Sequence, residues 1–156
     1  VKSGETSENF CYMIAGVLDK VEEMTAFLNP TENSYKRFGQ NKAPGYISWS
    51  SENRSQLVRI PAAVGEYRRA ELRSPDPTAN PYLAFALMIY AGLYGLQNRL
   101  DMPNAANNNL YKADPDTLTK FKKLPKDLGT ACKIAAESEF IKAHVPTAIL
   151  DIYCNK

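Results

Sequence analysis

Asn53–Tyr82 reads NRSQLVRIPAAVGEYRRAELRSPDPTANPY, and its centre, Arg69-Ala70-Glu71-Leu72-Arg73, alternates charged and apolar residues with a period of two. In an extended strand alternate side chains share a face, so Arg69, Glu71 and Arg73 are expected on one side and Ala70 and Leu72 on the other. Upstream, Leu57-Val58-Arg59-Ile60 places another arginine on a short apolar strand, with Arg54 in the loop before it. Arg54, Arg59, Arg69 and Arg73 around Glu71 make either an anion-binding surface with one hard-metal ligand, or a solvated sheet face with cross-strand ion pairs.

Working outward, Tyr46–Ser50 has the β-favouring residues and alternation of a strand. Together with Gln56–Ile60 and Tyr67–Arg73 it predicts a three-stranded antiparallel meander, turning at 51–55 and around Gly65. The gaps are too short for a crossover helix, which argues against parallel pairing. Upstream, Phe10, Ile14, Val17, Val21, Met24 and Leu28 recur every three or four residues, predicting an amphipathic helix over 7–28 with Ser7 as N-cap and Asn29-Pro30 as its stop. Residues 29–45 have the Pro, Gly and Asn content of a loop.

Downstream, Asn80-Pro81 reads as an N-cap and first helical residue. No charge occurs from Pro81 to Leu96. The run is shorter than the roughly 20 residues of a membrane span and rich in Tyr, Ala and Gly, so it is expected to be the central core helix on the sheet. Residues 102–113 form an Asn-rich loop. A helix restarting at Asp114-Pro115 would use Leu118, Phe121 and Leu124 as its apolar face until Pro125. Helices are expected over 126–137, 138–144 and 146–153.

Composition is that of an ordinary soluble domain: 156 residues, 44% hydrophobic, 23% charged, net charge +2. Basic residues are spread along the chain, and there is no aromatic-studded strand or recognition helix for nucleic acid. Cys11, Cys132 and Cys154 are odd in number and far apart, which favours a reducing, cytoplasmic setting over a disulfide framework. No secretory signal pattern is visible. His144, the single histidine, lacks metal-ligand neighbours and reads as a surface or capping residue.

Three stretches, NPTENSYKR at 29–37, NRSQLVRIP at 53–61 and RAELRSPDPTANPYLAFA at 69–86, resemble the glutamine synthetase family in the C-terminal portion of its catalytic domain. The match runs in register over most of residues 6–101 and weakens from 102 onward. It implies an α+β fold in which residues 1–101 supply a helix, a flap loop, the meander and the core helix, and 102–156 a C-terminal helical extension. Starting at Val1 without Met, the chain would be about the last third of a subunit.

The resemblance implies ATP-dependent ligation of ammonia to glutamate through γ-glutamyl phosphate, in a cytoplasmic homo-oligomer that binds neither nucleic acid nor membrane. Catalytic roles would fall to Arg54 and Arg69. Arg37, Arg54 and Arg73 would bind glutamate, and Arg54, Arg59 and Arg69 would face the ATP phosphates. Glu71 would ligate one Mg²⁺ or Mn²⁺, its pKa held low by flanking Arg69 and Arg73. Tyr111, in Asn109-Leu110-Tyr111, resembles a tyrosine that some bacterial members adenylylate. Two positions depart from the pattern. Lys42 stands where the flap carries a glutamate before Ala43-Pro44, and Glu66 where a nucleotide-contacting lysine is expected. Alternatives are a γ-glutamyl ligase using an organic amine and a non-catalytic structural or regulatory paralogue. The remaining metal ligands would lie upstream or on a neighbouring subunit, leaving the isolated chain inactive.

Overall fold

The first helix, α1 (Glu8–Leu28), starts where the Ser7 hydroxyl accepts a hydrogen bond from the Phe10 amide at 3.2 Å. Its apolar face, from Ile14 through Val21 and Met24 to Leu28, is buried in the core. The structure is a computed structural model and describes residues 7–40, 42–63 and 67–154. The turn at Gly65 and the departure at Glu66 therefore lie outside the described residues.

Residues 29–45 are not purely loop. Thr31 and Ser34 form a reciprocal capping box that closes a one-turn helix, α2 (Glu32–Tyr35). The sheet strands β1 (Trp49–Ser50), β2 (Val58–Arg59) and β3 (Glu71–Leu72) lie in that order. The antiparallel meander is half right. β2 and β3 pair antiparallel, with Arg59 opposite Glu71 and Val58 opposite Leu72, whereas β1 and β2 pair parallel. Each strand is two residues long. The chain must therefore return only about 7 Å, well within reach of residues 51–57 at roughly 3.3 Å each, and no helix is needed.

The open side of β1 is covered by the Asn-rich segment. The Ala106 amide donates to the Trp49 carbonyl at 2.8 Å, and the Trp49 indole donates to the Pro103 carbonyl at 2.7 Å. Buried Gln56 donates to the carbonyls of Ala106 and Asn108 at 2.9 and 2.7 Å. An internal amide thus stitches this loop to the sheet.

Helix α3 (Pro81–Gln97) begins where the Asn80 side chain accepts from the Tyr82 and Leu83 amides. It crosses α1 at backbone contact. A Cβ on Gly16 would lie 2.1 Å from the Ala91 carbonyl oxygen, and one on Gly95 2.1 Å from that of Tyr12. Only one face is covered, by Ala84, Leu87, Ala91, Gly92 and Gly95. Tyr82, Phe85, Ile89 and Leu93 stand bare, Tyr82 at 83% exposure. The expectation of a central core helix on the sheet is thus corrected: the helix packs one face on α1 through Gly16 and Gly95 and leaves the other open. No helix among the described residues is long and apolar enough to cross a membrane.

The restarted helix α4 (Pro115–Leu118) stops earlier than its apolar spacing suggests. Beyond it Lys123 forms an antiparallel bridge with Tyr46, and the Leu124 amide donates to the Gly45 carbonyl. Pairing to the flap segment displaces the helix there. Helices α5 (Leu128–Glu137), α6 (Glu139–His144) and α7 (Thr147–Cys154) follow, capped by Asp127 and Ser138 at the first two. They pack on α1. His144 stacks on Tyr90 with ring centroids 4.0 Å apart and meets Phe140 edge-on.

Candidate functional site

Glu71 on β3 lies directly across from Arg59 on β2, and this register builds the site. The Arg59 guanidinium donates from Nη1 to both Glu71 carboxylate oxygens, at 3.1 and 3.4 Å. Arg69, two residues before Glu71 and on the same face, reaches it at 3.2 Å from Nη2 and 3.3 Å from Nε. Partial burial pushes the Glu71 pKa up. The hydrogen bond and charge of Arg59, with those of Arg69, outweigh that and hold it below the usual carboxylate value. Arg59, not Arg73, is thus the second cation on this carboxylate.

Arg73 turns to the flap. Its Nη2 donates to the Lys42 carbonyl at 3.0 Å. Lys42 adopts a left-handed backbone (φ 67°), closing a tight turn in which the Gly39 amide also donates to the Ala43 carbonyl at 2.9 Å. Its side chain is exposed. Arg37 is tied to the segment between β3 and α3. Its Nη2 donates to the Ser74 carbonyl at 2.9 Å and lies 3.9 Å from Asp76. Asn29 donates to the same carbonyl at 2.8 Å. Burial pushes the Asp76 pKa up, but hydrogen bonds from Ser34 and Thr78 and the charge of Arg37 bring it below its ordinary value. Exposed Arg54 presents its carbonyl to the Tyr111 hydroxyl at 3.4 Å. Burial raises the Tyr111 pKa against a lowering by the charge of Arg73.

The strands therefore bring Arg59, Arg69 and Glu71 into one cluster. Arg37 and Arg73 anchor to backbone carbonyls instead, and Arg54 meets Tyr111 only through its backbone carbonyl. Sequence reasoning missed the anchors, Asn29, the Ser74 carbonyl and the Lys42 carbonyl. Only Asn29 had a visible signal, a buried amide needing a partner where a helix ends.

Among the described residues, the buried Arg37 Nε, Arg59 Nε and Arg73 Nη1 have no hydrogen-bond partner. Buried guanidinium nitrogens of this kind fit an anionic ligand such as a carboxylate or phosphate. A divalent cation fits less well on these residues alone. No cluster of three or more His, Cys, Asp or Glu side chains occurs among the described residues, and the Glu71 carboxylate is shared by two guanidiniums. On the opposite face of the strands, Val58, Ala70 and Leu72 line an apolar groove of about 640 Å³ with Ile14, Val17 and Phe85. Leu72 is thus only partly packed.

Residues 2–156 match the family described as glutamine synthetase, catalytic domain. The chain is 46% identical over 154 residues to a glutamine synthetase of Methanosarcina mazei, covering 96% of this chain and 34% of that protein. It is 42% identical over 144 residues to a glutamine synthetase of Staphylococcus aureus, covering 90% and 32%. It spans about a third of the length of these relatives. A solved structure described as a GmaS/ADP complex superposes with a TM-score of 0.82 at 29% identity, over 94% of this chain and 35% of that one. Apo GmaS without ligand gives 0.78 at 30%, over 94% and 34%. The chain belongs to the glutamine synthetase family, as a C-terminal part of its catalytic domain.

Proposed function

We propose that this chain supplies the arginine-lined wall of a glutamine synthetase active site, which joins ammonia to the side-chain carboxylate of glutamate at the expense of ATP. The observation that carries this reading is the Arg59–Glu71–Arg69 cluster on paired strands, within a chain whose relatives are named glutamine synthetase. In the first step the glutamate γ-carboxylate attacks the terminal phosphorus of ATP, and ADP leaves. In the second, ammonia displaces phosphate from the acyl phosphate. Both steps develop charge on phosphoryl oxygens, and fixed guanidiniums offset it without reorganising.

Arg59 and Arg69 take the phosphate side, with Arg54 reaching both nucleotide and glutamate. Arg37 and Arg73, pinned through one nitrogen each to Ser74 and Lys42, hold remaining donors for the glutamate α-carboxylate. Mg²⁺ or Mn²⁺, when bound, neutralises phosphate charge. Glu71 would supply one ligand toward it, and the other ligands would come from outside the described residues. The bare face of α3 and the adjoining apolar groove support a larger catalytic domain, the rest of the subunit covering them in a cytoplasmic homo-oligomer. In members regulated by adenylylation, Tyr111, 36% exposed, would be the acceptor.

A second reading, ligation of an organic amine, is kept open by Lys42, which stands in the flap where the family pattern carries a glutamate. Phosphate release by the full-length subunit with glutamate, ATP and either ammonium or a panel of primary amines separates the two. The first reading predicts at least tenfold preference for ammonium in kcat/KM. A preference for methylamine or a longer amine overturns it in favour of the second.

A further inference from the structure

Two of the three cysteines, unrelated by spacing in the sequence, meet at the far end of the helical extension. Cys132 is buried on α5, and its Sγ donates to the Tyr153 carbonyl at 3.4 Å. That contact sets it against the last turn of α7, where Cys154 follows. The Cys154 thiol is half-buried beside it. Both line a cleft of about 390 Å³ whose other walls include Glu32, Gly129 and Lys133. Tyr153 packs its ring on Phe27 of α1 at 5.0 Å, so the end of α7 is already seated beside α5. Cys11 lies on α1, outside this cleft.

We propose that Cys132 and Cys154 are a redox-active dithiol that closes to an internal disulfide on meeting a small disulfide such as oxidised glutathione, stapling α7 to α5. One thiolate attacks a sulfur of oxidised glutathione and releases one glutathione thiolate, leaving a mixed disulfide. The second cysteine attacks the protein sulfur of that mixed disulfide and releases the second glutathione. Two protons leave the cysteines, and two electrons pass to the glutathione pair. The cleft admits the first attack, and the seating of both cysteines in its wall, with Cys132 already against the Tyr153 carbonyl, favours the second over hydrolysis or escape. Burial, with Cys132 and Asp151 nearby, pushes the Cys154 pKa up to about 12. The open dithiol therefore gains little thiolate stabilisation, which favours the closed form at equilibrium but makes its formation slow at neutral pH and faster as pH rises.

The test is made on the intact protein, treated with oxidised glutathione, alkylated, and mapped by mass spectrometry without reduction. The expected product is a Cys132–Cys154 linked peptide pair, two hydrogens lighter than its reduced parts, with Cys11 alkylated. The melting temperature should rise by roughly 5 °C on oxidation. Dithiothreitol should reverse the rise, Cys154→Ser should abolish it, and Cys11→Ser should keep it. Glutathione adducts on Cys132 or Cys154 without the internal link would overturn the proposal, as would alkylation of both thiols after oxidation.

Discussion

Glu71 is held by Arg59 at 3.1 Å and by Arg69 at 3.2 Å, and its charge keeps the two guanidiniums together. Its pKa lies below the ordinary value, so the stabilisation it brings is present above the unfolded carboxylate pKa. That stabilisation is lost as pH falls through the folded value. Glu71→Gln should therefore lower the melting temperature at neutral pH, and the gap to wild type should narrow as pH falls through and below the ordinary glutamate range. Thermal melts across that range check this; a gap that stays constant would mean the ion pairs carry no net stability.

At Lys42 the expected effect is on substrate. If the side chain faces the amine site, replacing that cation is worth about 1 kcal/mol at an exposed position, so Lys42→Glu in the full-length protein should lower the KM for ammonium roughly fivefold. An unchanged KM would place the side chain away from the amine. The Arg69–Glu71 pair was legible because period-two alternation decides which side chains share a face. The attachment of Arg73 and Arg37 to backbone carbonyls was not, since every residue carries a carbonyl and none marks itself in the sequence.

Among the elements, α1 and α3 meet through glycines, and that contact is the least forgiving place in the fold. A Cβ on Gly16 would fall 2.1 Å from a backbone oxygen and 2.6 Å from a backbone nitrogen, neither of which can rotate away. Gly16→Ala should destabilise by at least about 2 kcal/mol. Gly129→Ala, in the first turn of α5 with only Asp127 at 3.7 Å, should instead stabilise by about 0.5–1 kcal/mol. Denaturant melts of both variants test the crossing, and equal effects would contradict it.

Both long helices were readable from their caps, Ser7 and Asn80, because an orphaned amide turn demands a particular side chain. The parallel β1–β2 pairing was not readable. The usual crossover rule presumes strands long enough to require a helical return, and these have two residues each. Nor was the end of α4, where Lys123 leaves helical spacing to pair with Tyr46.

For the whole molecule, the uncharged run at 81–96 suggested burial all round against the sheet, whereas one face of it packs on α1 and the other is exposed. Tyr82, Phe85, Ile89 and Leu93 remain open. Periodicity reports that a face is apolar, not which polypeptide covers it. The same incompleteness applies to the chemistry, since Glu71 has no companion carboxylate cluster among the described residues. Residues 1–156 expressed alone should fold, yet show no glutamate-dependent release of phosphate from ATP. Turnover by the isolated chain would place the whole site within it and contradict this reading.

The central claim, that the β2–β3 face is a phosphoryl-transfer surface and not a solvated patch of ion pairs, is tested most directly by Glu71→Ala in the full-length protein. Turnover and melting temperature should be measured together on the same preparation. The Glu71 side chain is 32% exposed, so its removal opens no core cavity, and the melting temperature at neutral pH should fall by only a few degrees. Losing a charge-positioning group of this kind costs about 3–4 kcal/mol at the transition state, so turnover should fall at least 100-fold. Wild-type turnover in a folded Glu71→Ala variant would contradict the account.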